Sequence, residues 1–216
     1  MSQTVKLYVM SRTQQCAGRA VWMTAKALNM PLEIVAIDLE KGEQNTPEYK
    51  KINPLHTVPT IDDNGFIICE SRAIMKYLAN KCGDPLYPKD AKKRALVDSR
   101  LDFDIGKFWP ALKEYAYPQV MHNKPSNPER EKDMKEALDN LELLLSQSKY
   151  IAGDQMTIAD ISIFCNVSFL WMSKYNFANY PKIQAWIDVM KKLPYYKETN
   201  QDFNDWIHTK TLIKGQ

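Results

Sequence analysis

Two prolines bracket a polar turn in Asn53-Pro54-Leu55-His56-Thr57-Val58-Pro59-Thr60, and one hairpin later the chain reads Glu70-Ser71-Arg72 at the head of an amphipathic stretch. Pro59 has no N–H and a fixed φ, so it suits the first residue of a strand, and an X-Pro bond in a tight bend is the usual place for a cis peptide. A cis bond there turns the N–H and C=O of Val58 outward, where an extended peptide can pair with them as an added strand. Ser71 is expected to N-cap a helix through Arg72-Ala73-Ile74-Met75-Lys76-Tyr77-Leu78, whose free N–H groups and positive dipole end receive a carboxylate. Glu70 offers a partner for an ammonium. An anion site, a cation site and a strand edge at one spot meet the needs of a small zwitterionic peptide, although a Pro-bracketed turn before a capped helix also serves as plain scaffold.

The elements that must position these residues follow from hydrophobic pattern and turn chemistry. Val5 to Met10 reads as a strand, Cys16 to Leu28 as a helix stopped at Asn29, and Glu33 to Ile37 as a second, continuously apolar strand of the kind found inside sheets. Such a βαβ unit makes a parallel pair. Thr46 caps a short helix. Asn64-Gly65 signals a hairpin between Pro59-Thr60-Ile61 and Phe66-Ile67-Ile68. The order β-α-β-β-β-α predicts a mixed four-stranded sheet with helices on its faces, the thioredoxin-like α/β arrangement, over residues 1–82. Residues 83–89 read as a linker, and residues 90–216 as an all-α domain. There Val97, Leu101, Ile105, Phe108 and Leu112 predict one long helix, kinked or broken near Pro110. Met134, Leu138, Leu141 and Leu145 predict a second, Thr157-Ile158-Ala159-Asp160 a capping box opening a third, and Ile183 to Met190 and Phe203 with Trp206 two more.

Composition removes several function classes. The chain has 216 residues, 44% hydrophobic and 25% charged, and a net charge of +3 spread over mixed charges, which does not imply nucleic acid. No stretch has the length to span a membrane and the N-terminus has no apolar core of a leader, so a cytoplasmic location is expected. Cys16, Cys69, Cys82 and Cys165 show no CxxC pair and no His at ligand spacing, so no metal and no disulfide framework is signalled, and most are expected as buried small hydrophobes.

Taken together, Met23-Thr24-Ala25-Lys26-Ala27-Leu28, Lys51 through Thr60, Glu70 through Met75, Leu86-Tyr87-Pro88 and Thr157 through Asp160 resemble, in this order and spacing, the cytosolic glutathione transferases, most of all the insect delta and epsilon classes. The resemblance covers nearly the whole chain. It implies the glutathione transferase fold, glutathione as co-substrate, hydrophobic small-molecule electrophiles as second substrates, a detoxifying role and a homodimer. It also implies that Val58, beside Pro59, pairs main chain to main chain with the cysteinyl part of glutathione. His56 then lies by the glycyl end, and Glu70, Ser71 and Arg72 hold the γ-glutamyl group. Where the delta and epsilon pattern has a histidine in the loop after the second strand, this chain has Gln44.

The same pattern carries a serine after the first strand. Counting from Leu7 that place falls on Thr13, and counting back from the helix it falls on Gln15, so the loop is about two residues longer than the pattern; Ser11 and Thr13 are the hydroxyls available. The chemistry asks little of either. A thiol of pKa about 8.5 must ionise near neutrality, a shift of roughly 2 units or about 2.7 kcal/mol. One hydrogen bond to a charged acceptor contributes about 1.5–3 kcal/mol and a helix N-terminus about 0.3–1 kcal/mol. The second-substrate pocket is expected between the halves, with Phe108, Trp109, Tyr115, Tyr117 and Phe203 as candidate lining. Two competing readings are a non-catalytic carrier of glutathione or hydrophobic ligands, favoured by the lengthened loop and Gln44, and a glutathione-dependent thiol transferase or peroxidase working through Cys16.

Overall fold

The computed structural model describes residues 4–10, 15–83 and 85–213, with side chains described to residue 209. The chain packs as two compact units, Met1–Asp84 with Tyr195–Trp206, and Pro85–Pro194 with Ile207–Gln216. The segment Tyr195–Trp206, expected with the helical domain, thus packs with the first unit.

Four strands form the first unit's sheet: β1 (Val5–Met10), β2 (Leu32–Ile37), β3 (Thr60–Asp63) and β4 (Phe66–Cys69), in the order β2-β1-β3-β4. β1 pairs parallel with β2 from Val5–Leu32 to Met10–Ile37 and antiparallel with β3 from Lys6–Asp62 to Tyr8–Thr60, while β3 and β4 pair antiparallel from Thr60–Cys69 to Asp63–Phe66. The parallel unit and the Asn64-Gly65 hairpin are as expected. β2 differs: it lies at a sheet edge with Ile34 exposed, because its apolar residues cover a rim rather than fill the interior.

Helices α1 (Cys16–Ala27), α2 (Pro47–Ile52) and α3 (Ser71–Cys82) complete this part. A Cβ added at Gly18 would come within 3.0 Å of Val9, so glycine there lets α1 lie close on β1. Thr46 caps α2 through a bond from the Tyr49 N–H, as its sequence implies. α3 corrects one expectation: its N-cap is Glu70, not Ser71, which is instead the first helical residue.

Under the hairpin, Asp63 is nearly covered and accepts hydrogen bonds from the Tyr77 hydroxyl (2.5 Å), Asn64 Nδ2 (2.8 Å) and the Lys81 ammonium. The Lys81 and Tyr77 bonds hold its carboxyl below the ordinary aspartate value, and the same carboxylate pushes Tyr77 up to about 12. A depressed acid stabilises the fold above its unfolded pKa and that contribution is lost as pH falls through the folded value; a raised tyrosine stabilises below about 10 and loses its contribution as pH rises toward 12. Asp63→Asn is therefore expected to cost about 1–2 kcal/mol at neutral pH, after discounting for the screened Lys81. It should also flatten both limbs of the stability–pH curve measured by urea denaturation; unchanged limbs would remove this cluster from the account.

The second unit is helical: α4 (Ala91–Phe103), a π-helical turn (Asp104–Phe108), α5 (Trp109–His122), α6 (Pro128–Gln147), α7 (Ile158–Phe169) and α8 (Pro181–Lys191), while α9 (Tyr196–Ile213) begins in the first unit. The expected long helix is divided at the π turn. Pro110 has no N–H to give the Gly106 carbonyl, and the widened turn rotates Ile105 outward to 46% exposure while Asp104 and Phe108 face inward. Asp104 is fully buried and accepts from Ser162 Oγ (2.6 Å) and Asn166 Nδ2 (2.7 Å) of α7. Every residue of α7 is buried, and the capping box of Thr157 and Asp160 is present. The linker is fastened to this unit by the Ile158 N–H on the Leu86 carbonyl (3.0 Å) and by Tyr87, whose hydroxyl donates to Asp98 at 3.0 Å. Among the described residues, no helix is long and apolar enough to cross a membrane.

Candidate functional site

The strand registers gather the candidate residues at one end of the first unit's sheet. Thr60 pairs with Cys69 and with Tyr8, so the segment entering β3, the segment leaving β4 and the last residues of β1 share that end; the Met10–Ile37 pair adds the loop leaving β2.

Entering β3, the Asn53–Thr60 turn is braced from beneath. Buried Asn53 donates Nδ2 hydrogen bonds to the Thr57 carbonyl (3.0 Å) and to Thr60 Oγ1 (3.0 Å), and accepts from the Leu55 N–H (3.1 Å). The Tyr49 hydroxyl donates to the same Thr57 carbonyl at 2.7 Å. Burial pushes the Tyr49 phenol up, so it stays a donor at neutral pH. With those groups satisfied below, His56 stands exposed at φ +46°. The Val58–Pro59 peptide is cis, as its sequence implies. The β1–β3 ladder stops at Thr60, and neither main-chain group of Val58 pairs with another described residue. Its side chain packs on Tyr8, Ile37 and Tyr49, which fixes the segment without using its peptide groups.

Leaving β4, Glu70 adopts φ +70°, rare for a residue with a Cβ. Its carbonyl accepts the Ile74 N–H (2.9 Å), its carboxylate makes no capping bond, and it is exposed. Ser71 is 7% exposed beneath it and Arg72 is half-buried. No acidic side chain lies in the first turn of α3, so that helix start is open to an anion. In the loop after β2, a 3-10 turn (Glu43–Asn45) carries Gln44, whose Oε1 is shielded from solvent with no hydrogen-bond partner among the described residues. Gln15, the N-cap of α1, likewise has a shielded side-chain oxygen with no partner among the described residues, and makes no cap bond. Ser11 and Thr13 lie outside the described residues.

The described site thus combines an unpaired strand edge, a carboxylate and an open helix start. Two family models match the chain: the N-terminal domain of glutathione S-transferases over residues 3–80 and the C-terminal domain over residues 101–194. The chain belongs to the glutathione transferase family. Three solved structures illustrate the likeness. A Nilaparvata lugens delta-class glutathione transferase is 37% identical, with 95% of this chain and 99% of that one covered at a TM-score of 0.88. An epsilon-class enzyme of the housefly, Musca domestica, is 36% identical over 96% and 97% at 0.87. A glutathione transferase homologue from Drosophila mojavensis, with glutathione bound, is 37% identical over 96% of each chain at 0.87.

The transferase's aromatic candidates fall into different settings. Phe108 and Phe203 have no exposed surface, so a ligand reaches either only by displacing its neighbours. Tyr115 is 8% exposed, edge-on to Tyr175 at 5.8 Å. Trp109 is half-buried; Tyr117 is exposed and stacks on Phe169 at 6.3 Å. Cys16 and Cys165 are buried as expected, but Cys69 is half-buried and Cys82 exposed, because both sit at element ends. Sequence reading passed over the braces Tyr49, Asn53 and Thr60; the available signal was three hydrogen-bonding side chains flanking a Pro-bracketed turn.

Proposed function

We propose that this transferase binds glutathione along the Val58 main chain, ionises its thiol, and adds the thiolate to hydrophobic electrophiles in a detoxifying role, as a cytoplasmic homodimer. The observation that carries the reading is the convergence, at one end of the sheet, of the unpaired Val58 peptide groups, the strained Glu70 carboxylate and the open first turn of α3. Val58, preceding Pro59, takes the cysteinyl main chain as an added strand. Glu70 takes the ammonium, while Ser71 N–H and the Arg72 charge take the α-carboxylate. Gln44, donating through its side-chain NH2, and His56 serve the glycyl carboxylate.

A hydroxyl of Ser11 or Thr13 donates a hydrogen bond to the sulfur, stabilising the thiolate after its proton leaves to solvent. The thiolate forms the new carbon–sulfur bond while the electrophile's leaving group departs or its π bond takes up the electron pair. Trp109, Tyr115 and Tyr117 are the proposed apolar surroundings of that electrophile, whereas Phe108 and Phe203, fully covered, are not.

Ser11→Ala, Thr13→Ala and the double variant test the hydroxyl through conjugation of an activated chloronitrobenzene. One single variant and the double variant should lose about 10–100-fold at neutral pH, the worth of one charge-assisted hydrogen bond. Full rates in all three would sink the hydroxyl mechanism, and loss of activity only in Cys16→Ala would favour thiol transfer instead.

A further inference from the structure

The main-chain carbonyl of Thr57 accepts hydrogen bonds from three side chains among the described residues, one more than its two lone pairs call for. The Tyr49 hydroxyl donates to it at 2.7 Å, Asn53 Nδ2 at 3.0 Å and Thr60 Oγ1 at 3.0 Å. Tyr49, Asn53 and Thr60 are all buried. They are also tied to one another: Asn53 Nδ2 lies 3.0 Å from Thr60 Oγ1 and 3.1 Å from Thr57 Oγ1, and the Tyr49 hydroxyl lies 3.3 Å from Thr60 Oγ1. The three donors come from α2, from the residue that follows it and from the first residue of β3.

Closing the turn does not require this cluster. The His56 N–H on the Asn53 carbonyl (2.9 Å) and the Leu55 N–H on Asn53 Oδ1 (3.1 Å) already do so. What the cluster adds is the direction of one peptide plane. Among the described residues only the Val58–Pro59 bond is cis, so the Thr57–Val58 peptide is trans, and in a trans peptide the C=O and N–H point to opposite sides. Drawing the Thr57 carbonyl inward therefore turns the Val58 N–H outward, where it pairs with no other described residue. Rotating that plane by half a turn would set an N–H against three buried donors and leave them short of an acceptor.

The geometry points to Tyr49, Asn53 and Thr60 as positioning residues for peptide binding: by fixing the Thr57–Val58 plane they keep the Val58 N–H aimed at the cysteinyl carbonyl of an incoming glutathione. The inference rests on the function proposed above, and it asks none of the three side chains to touch glutathione. A plane that spends only part of its time outward lowers the apparent affinity by the outward fraction. Saturating glutathione selects the outward orientation and recovers the rate. The signature of the role is thus a change in Kd and KM with kcat kept.

The test compares the full-length protein with Tyr49→Phe, Thr60→Val and Asn53→Asp. It reads Kd for glutathione by calorimetry, KM and kcat in conjugation, Tm, and exchange of the Val58 amide by NMR with and without glutathione. Tyr49→Phe and Thr60→Val each remove one donor with little change of shape, and each should raise Kd and KM about 3–10-fold, the worth of one neutral hydrogen bond, while kcat at saturation stays within about twofold. Asn53→Asp is the sharper variant. It keeps an acceptor for the Leu55 N–H yet sets a carboxylate against the Thr57 carbonyl, and should raise Kd more than about 10-fold. Should Asn53→Asp not fold, Tyr49→Phe and Thr60→Val decide the matter. A cluster that merely holds the turn predicts a lower Tm with Kd and KM unchanged; that result, with the wild-type Val58 amide protected by glutathione, overturns the positioning role alone, as does a loss confined to kcat. A wild type that does not bind glutathione, or whose Val58 amide glutathione leaves unprotected, overturns it together with the proposed function.

Discussion

Asp160→Ala is expected to lower stability by about 3–5 kcal/mol, the largest loss of any single substitution considered. Asp160 has no exposed surface and its carboxylate accepts four hydrogen bonds. One oxygen takes the Ile151 N–H (3.0 Å) and the Trp186 indole N–H (3.1 Å); the other takes the Thr157 N–H (2.8 Å) and hydroxyl (3.0 Å). One side chain thus ties the loop before α7 and the helix α8 to the buried α7. Burial pushes its carboxyl pKa up, opposed by the bonds from Ile151, Thr157 and Trp186, which is why so many donors converge on it. Alanine leaves these donors covered and unpaired and opens a cavity as well. Asp160→Asn keeps the shape but turns an NH2 toward at least one donor, so it should recover only part of the loss. At roughly 2–4 °C per kcal/mol, a fall in Tm of about 10 °C is expected by calorimetry. An alanine variant melting within 2 °C of the wild type, itself less than about 1 kcal/mol, would show that the network is dispensable.

Glu70→Ala is expected to raise KM for glutathione about 10–100-fold while kcat at saturation changes little. The carboxylate is exposed, makes no capping bond and sits on a backbone at φ +70°. A left-handed glutamate at a helix N-cap spends conformational energy of about 1–3 kcal/mol that glycine or asparagine would avoid. Such strain is retained when the side chain is needed at that spot, and under the proposed function the need is the peptide's ammonium. A hydrogen-bonded charge pair contributes about 1.5–3 kcal/mol, which gives the expected range in KM. Because the ammonium is remote from the sulfur, the loss falls on binding rather than on the chemical step. Glu70→Gln should fall between wild type and alanine. If alanine left KM for glutathione unchanged, or lowered kcat instead, Glu70 would not be the ammonium partner.

What could be read from the sequence was what local chemistry dictates. Asn64-Gly65 specifies its hairpin, Thr157 and Asp160 specify their capping box, and Pro59 marks its bend, because each signal lies within a few residues of the structure it forms. Features set by distant partners were harder to read. β2 has the apolar content of an interior strand, and only the sheet order makes it an edge. Ile105 fits a helical repeat until the π turn, anchored by Asp104 to Ser162 and Asn166 some 58 and 62 residues away, changes the phase. The Arg19–Asn200 bond spans 181 residues and leaves no periodic trace. Exchanging Ser71 for Glu70 at the cap is a one-residue error: serine is the better cap by type, but the φ of Glu70 decides the boundary. Among the site residues, the positions proposed to face glutathione could be assigned by motif, whereas Ser11 and Thr13 could not be separated, since the loop is longer than the pattern it resembles.

The most direct test of the account is the pKa of glutathione bound to the wild-type protein, read from thiolate absorbance in the ultraviolet as pH is varied at saturating protein. The account predicts a bound pKa roughly 2 units below that of the free thiol, the shift that a hydroxyl donor and a helix start together supply. Tight binding with an unshifted pKa would contradict it and leave a glutathione carrier in place of a thiolate-generating enzyme.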